Sequence, residues 1–323
     1  MHAVARRIIA AVELSRLPVA FGAVANVWLM VLLARTDPRL ATSNVATMPV
    51  WQALIGALML AVGFMAFGAA LNDFLDAKHD RTFSPDRPLP AGLIAPRRAM
   101  QLAVIALCVG VLGAIPFGTS ALLCAMLLAA LILIYDAFAK HVPALGIVIA
   151  GLATAVSMFA PCVEATALLP VWIAMSQTMG VGLLAYQLAD KRPQLSRRAV
   201  LLGAMGWIFW SAALFALGSS RNDGALLFPW KNAADLTVPA ITVVACALIG
   251  VWKLRSIRGV RAAEKLLRYG SLWKSLVAAA WMFAADLGTE ATIVAGIAIA
   301  IFAMLAILRE TRPLLSEPTT WRS

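Results

Sequence analysis

Four side chains bearing oxygen donors crowd residues 72–80: Asn72, Asp73, Asp76 and Asp80. They follow a stretch, Val50–Leu71, that carries no charge. On a helix Asn72, Asp76 and Asp80 stand at i, i+4 and i+8 and share one face, while Asp73 lies about 100° round the turn. Carboxylates crowded at a membrane boundary repel one another and lose hydration. A bound cation relieves both costs. Oxygen-only donors suit a hard ion, and Mg²⁺ is typically held by one or two carboxylates together with substrate phosphates. The spacing therefore marks Asn72, Asp73, Asp76 and Asp80 as candidate metal ligands rather than as a solvated acidic helix end.

Arg87-Pro88-Leu89-Pro90-Ala91-Gly92 follows the acidic cluster. Together, Asn72-Asp73-x-x-Asp76-x-x-x-Asp80 and this string resemble the first aspartate-rich motif, and the turn after it, of the UbiA superfamily of membrane prenyltransferases. Farther on, Tyr135 and Lys140 end an apolar run. They are similar to a tyrosine followed closely by a lysine at the same place in that superfamily. Alone, the pair would read as an interfacial ring and a topogenic charge. A second superfamily motif, D-x-x-x-D, is expected near the end of the sixth apolar run. Here that place holds Gln187 and Asp190, and the position four beyond Asp190 is Gln194. The resemblance covers roughly residues 12–290, and it departs from the superfamily pattern at this second motif.

These residues have to be held by something, and composition says what. The chain is 62% hydrophobic and only 13% charged, with a mean hydropathy of +0.86. A soluble domain carries nearer a quarter charged residues. Runs of about 17–25 apolar residues are long enough to cross a bilayer. Ten apolar runs of this kind or slightly shorter are expected: 17–34, 50–71, 99–116, 120–135, 142–163, 168–189, 199–218, 236–252, 271–285 (the weakest) and 292–308. The fold class is thus all-α, a polytopic transmembrane bundle of nine to ten helices in one domain over residues 1–323; the superfamily core usually has nine.

A net charge of +11 in a soluble protein would point to nucleic acid, but here topology explains it. Arg35, Arg39, Arg221 and Lys231 fall on one side and the other Lys and Arg residues opposite. Cytoplasmic loops carry the excess, so both termini and the Asn72 loop are expected to face the cytoplasm of a bacterial-type inner membrane. Residues 3–16 read as a short interfacial helix, and Glu13 and Arg16 argue against a cleaved signal peptide. Lys253–Arg268 reads as a basic helix on the membrane surface, and membrane lipids are expected partners. Asn26, inside the first run, faces either a neighbouring helix or a substrate cavity. Cys108, Cys124, Cys162 and Cys246 show no metal spacing. His2, His79 and His141 do not cluster.

What the resemblance implies is transfer of a prenyl group from an isoprenyl diphosphate to a lipophilic acceptor, with Mg²⁺ as cofactor. Asp76, Tyr135 and Lys140 take catalytic roles. Asn26, Asn72, Arg87, Lys140 and Asp190 bind substrate, with Arg16 a further source of positive charge. Tyr135 offers a π face to a carbocation. The incomplete second motif keeps an alternative open: a UbiA-like protein that binds or transports a diphosphate lipid without catalysis. A CDP-alcohol phosphotransferase is disfavoured, because no Asp-Gly-x-x-Ala-Arg string occurs.

Overall fold

The computed structural model describes residues 17–83, 87, 89–190, 193–222 and 233–316. Among these residues ten helices of 17 residues or more follow one another, and no strand occurs. They are α1 (Leu17–Thr36), α2 (Val50–Phe83), α3 (Pro96–Ala114), α4 (Thr119–Ala137), α5 (Pro143–Phe159), α6 (Leu168–Leu188), α7 (Arg197–Arg221), α8 (Thr237–Leu254), α9 (Gly259–Ala284) and α10 (Gly288–Ser316). One helical turn, Asn44–Thr47, lies in the α1–α2 connection. Six of the ten are long and apolar enough to cross a membrane, and α1, α5 and α10 hold shorter apolar stretches. Each expected span falls on one of the ten helices.

The helices differ from expectation in one place. The basic stretch is not a separate surface helix. α8 ends at Leu254, and α9 then runs unbroken from Gly259 to Ala284. Gly259 takes a positive φ of 71°, a conformation open to glycine without steric cost, and so restarts the chain as one long helix. The basic residues are its first turns. The interfacial helix expected over 3–16 lies outside the described residues.

α2 has 34 residues, about 51 Å at 1.5 Å per residue. That exceeds a hydrocarbon core of about 30 Å. The uncharged run to Leu71 matches the core, and the motif stands just beyond it. We call this the motif end of the bundle.

Neighbouring helices form a closed ring, α1–α2–α4–α5–α6–α9 and back to α1. α3 flanks α2 and α4, α7 packs on α5 and α6, α8 lies on α9, and α10 lies on α9 and α1. Small residues let α2 and α3 touch. A Cβ on Gly63 would collide with the backbone of Gly110, and one on Gly113 would stand 2.5 Å from the nitrogen of Leu60. Close small-residue contacts of this kind replace hydrophobic drive in lipid. α1 also touches α5 across the ring. The buried core gathers at the end away from the motif, where Val27–Ala34 of α1, Met158 of α5, Val171–Met175 of α6 and Val277–Met282 of α9 meet. The ring is therefore filled at that end.

Candidate active site

Two elements bring the motif together. Asn72, Asp73, Asp76 and Asp80 lie on the last turns of α2. Lys140 comes from a 3-10 turn, Ala139–His141, between α4 and α5. That turn folds tightly onto the start of α5 because Gly146 has no side chain. A Cβ there would be 2.9 Å from the carbonyl oxygen of Ala139 and 3.3 Å from Cα of Lys140.

The cluster divides into two halves, each with one cation. Lys140 Nζ donates to Asn72 Oδ1 at 3.0 Å and to Asp76 Oδ1 at 2.7 Å. Arg87 Nη1 donates to Asp80 Oδ2 at 2.6 Å and lies 3.8 Å from Asp73 Oδ1. Asn72 Nδ2 joins the halves through Asp73 Oδ1 at 3.5 Å. Asp73 and Asp80 are buried, at 8% and 4% exposure, while Arg87 keeps much of its surface in solvent. Buried carboxylates need such partners, since an unpaired buried charge is costly. The i, i+4 pair Asn72 and Asp76 does share one face, and a single lysine spans it. Among the described residues no three His, Cys, Asp or Glu side chains converge as a ready metal cage. The donors are hard oxygens and fit Mg²⁺ in type; Lys140 and Arg87 offset two of the three carboxylate charges.

The other expected residues lie at varying distances from this centre. Tyr135 is half-buried near the end of α4. Asp190 is exposed, in the turn after α6, with a positive φ of 47°. No hydrogen bond or ion pair joins it to the cluster among the described residues. Arg16 lies outside them. Asn26 is 4% exposed in α1, and its Nδ2 has no hydrogen-bond partner among the described residues.

Two residues were missed as site candidates. Asp136 is buried at 4% exposure and approaches Gly68 of α2. Its only sequence signal was a carboxylate beside Tyr135. Lys274 is the second. On α9, Gly270 meets Gln177 and Val181 of α6, and Ser271 meets Gly22 of α1. Lys274 falls between those two contact directions on the helix wheel, so it faces the ring interior. It has no hydrogen-bond or ion-pair partner among the described residues. α1 and α2 are antiparallel, with Trp28 Nε1 bonded to the carbonyl of Leu54 at 2.9 Å. This register sets Lys274, beside Gly22, about 18 Å along the bundle axis from Asn72.

A model of the UbiA prenyltransferase family matches residues 40–276. The chain belongs to the UbiA prenyltransferase family. The matched span holds the acidic cluster, Lys140 and Lys274. A curated relative, the digeranylgeranylglyceryl phosphate synthase of Methanopyrus kandleri, is 35% identical over 95 residues, covering 28% of this chain and 35% of the relative. The chain thus aligns with about a third of the length of that relative. A solved structure of a digeranylgeranylglyceryl phosphate synthase superposes with a TM-score of 0.56 at 18% identity, over 87% of this chain and 99% of that one. A UbiA homologue from Aeropyrum pernix K1 gives 0.54 at 18% identity, over 83% and 98%. These two likenesses establish the fold. UbiA membership and the apolar helices together make this an integral membrane protein.

Proposed function

We propose that this UbiA-family protein transfers a prenyl group from an isoprenyl diphosphate to a lipophilic acceptor, with Mg²⁺. The observation that carries the reading is the bridge from Lys140 to Asn72 and Asp76. It joins a fixed cation to oxygen donors at the motif end of the ring. Asn72, Asp73, Asp76 and Asp80 would hold the metal, whose charge stabilises the departing diphosphate when bound. Lys140 and Arg87, released from their carboxylates, then face phosphate oxygens; lysine acts there as a point charge and arginine as a fork. The allylic C–O bond breaks, and its electron pair leaves with the diphosphate. The acceptor forms the new bond to that carbon and loses a proton. Tyr135, near the end of α4, offers its ring face to the developing cation. The ring interior excludes water from that cation.

The names of the curated relatives, all digeranylgeranylglyceryl phosphate synthases, support a prenyl transferase reading over binding alone. The test uses membranes given Mg²⁺ and a radiolabelled prenyl diphosphate. Asp76→Ala is expected to lower turnover at least about a hundredfold, the scale of losing one preorganised charge contact in a transition state. Unchanged turnover would remove Asp76 from the reaction. A second reading, binding of a diphosphate lipid without transfer, is favoured by one observation: Asp190 is exposed, with Gln187 in place of an acid. Saturable binding with no product from any acceptor would carry that reading instead.

The motif end is proposed to face the cytoplasm of an inner membrane. Arg97, Arg98, Arg197, Arg198, Arg255, Arg258 and Arg261 gather there, against Arg35, Arg39 and Arg221 opposite. In a cysteine-free background, Thr47→Cys is expected to react with an impermeant thiol reagent in intact cells, and Arg97→Cys only after lysis. The reverse pattern would invert the topology.

A further inference from the structure

A second concentration of charge lies on α9, apart from the site above. A surface pocket of about 470 Å³ is lined by Ser256, Ile257, Arg258, Arg261, Lys265 and Arg268. The four cations recur at i, i+3, i+7 and i+10. Arg258 stands just before the helix; at 100° per residue Arg261, Lys265 and Arg268 fall within an arc of about 60° and form a stripe about 10 Å long. Like charges stacked at helical spacing repel one another. Among the described residues, Arg258, Arg261 and Lys265 have no acidic partner. A bias of positive charge toward one side of the membrane explains why the segment is basic. It does not explain why four cations converge on one pocket.

The contacts of α9 say what the stripe faces. Trp273 packs against Gly250 of α8, Gly270 against Val181 of α6, and Ser271 against Gly22 of α1. On the helix wheel the stripe lies between the α1 side and the α8 side, on the arc along which α10 also packs, with Phe302 against Tyr269. That arc is turned away from the ring interior. Arg258 and Arg261 are exposed, while Lys265 and Arg268 are half-buried farther along the helix. The stripe therefore runs from the aqueous side toward the bilayer on the outside of the bundle. A substrate diphosphate bound at the acidic cluster lies inside the ring and does not reach it.

We propose that this pocket binds the phosphate head group of an anionic phospholipid from the leaflet at the motif end. Phosphate oxygens fit converging guanidinium forks. Basic pockets at the cytoplasmic ends of transmembrane helices suit such head groups. The acyl chains then lie along α9 beside α10, at the lipid-facing edge of the bundle. The inference rests on the membrane position of the bundle and not on prenyl transfer.

The experiment uses the full chain purified in detergent, and native mass spectrometry counts bound lipid on titration with phosphatidylglycerol or phosphatidylcholine. Wild type is expected to bind phosphatidylglycerol at least about tenfold more tightly. Arg258→Gln/Arg261→Gln/Lys265→Gln is expected to lose that preference. A control pair off the pocket, Lys253→Gln/Arg255→Gln, is expected to keep it. If the triple variant fails to elute as a folded species, Lys265→Gln alone is read, with an expected loss of about threefold. Free pyrophosphate and inorganic phosphate are added as competitors. Displacement of the lipid by millimolar pyrophosphate would overturn the proposal in favour of a soluble phosphate ligand. Equal loss in the control pair, or no loss in the pocket variants, would overturn it in favour of diffuse attraction.

Discussion

At the scale of single residues, the chemistry depends on how charge is balanced without a ligand. Lys140 and Arg87 each hold a carboxylate partner of the motif, so two of its three acidic charges are offset before any substrate arrives. A ligand that brings both metal and diphosphate exchanges one set of pairings for another. This keeps charges near-balanced at each stage, which matters because an unpaired buried charge costs several kcal/mol. Lys274 is different: it faces the ring interior with no such partner. An intramembrane cation of this kind marks a functional position. Together with the amide of Asn26, it offers donors about 18 Å from the level of Asn72, at the depth of an acceptor group remote from the reacting carbon. Lys274→Met is expected to raise the KM for the acceptor about tenfold or more, the scale of one charged hydrogen bond. The KM for the prenyl diphosphate should stay within about twofold. Equal changes in both constants would show that Lys274 acts on the bundle as a whole.

At the scale of elements, the site depends on α2 being held rigidly past the end of its membrane run. Its partner is α3, and the two backbones meet at Gly63 and Gly110 and at Gly113 and Leu60. The atoms in the way of a new side chain are backbone, which cannot swing aside. Gly63→Val is therefore expected to destabilise the protein by at least about 1–3 kcal/mol, the usual cost of overpacking. A thermal unfolding midpoint in detergent measures this. Gly180→Val, at a glycine with open space around it, serves as the comparison and should shift the midpoint much less. An equal shift in the two variants would show that helix propensity, not the α2–α3 contact, sets the cost. The continuity of α9 belongs to this scale too. Its restart at Gly259 turns the basic segment into the first turns of a ring helix and lines its cations up as a stripe.

At the scale of the whole molecule, the end opposite the motif is tied by polar contacts between segments distant in sequence. Thr166 donates to Asp37 at 2.7 Å, and Arg39 donates to Asp37, to the carbonyl of Arg221 and to Asn222. Asn222 returns to the carbonyl of Thr166, and Arg221 donates to the carbonyl of Ala165. The α1–α2 loop, the α5–α6 loop and the end of α7 are thereby joined. Burial raises the pKa of Asp37, but hydrogen bonds from Thr166 and Arg39 and the charge of Arg39 outweigh it, leaving the carboxyl below its ordinary value of 3.8. A carboxyl depressed in the folded state stabilises above the unfolded pKa, and that stabilisation fades as pH falls through the folded one. Stability in detergent is accordingly expected to drop below about pH 4, with a smaller drop in Asp37→Asn. Parallel pH curves for the two proteins would place the acid sensitivity elsewhere.

Some of this was decided by local order in the chain. Apolar run length set ten helices, because crossing a bilayer demands that backbone polar groups be satisfied within each segment. The i, i+4 spacing placed Asn72 and Asp76 on one face because helix periodicity is a local property. Other features needed the packed bundle. Which cation answers which acid, Lys140 for Asp76 and Arg87 for Asp80, depends on a turn 64 residues away for the first pair and a return of the chain for the second. The inward placement of Lys274 and the outward placement of the Arg258 stripe came from which neighbours α9 acquired. Spacing along one helix fixes angles between its own residues, whereas only contacts with other helices give those angles an inside and an outside.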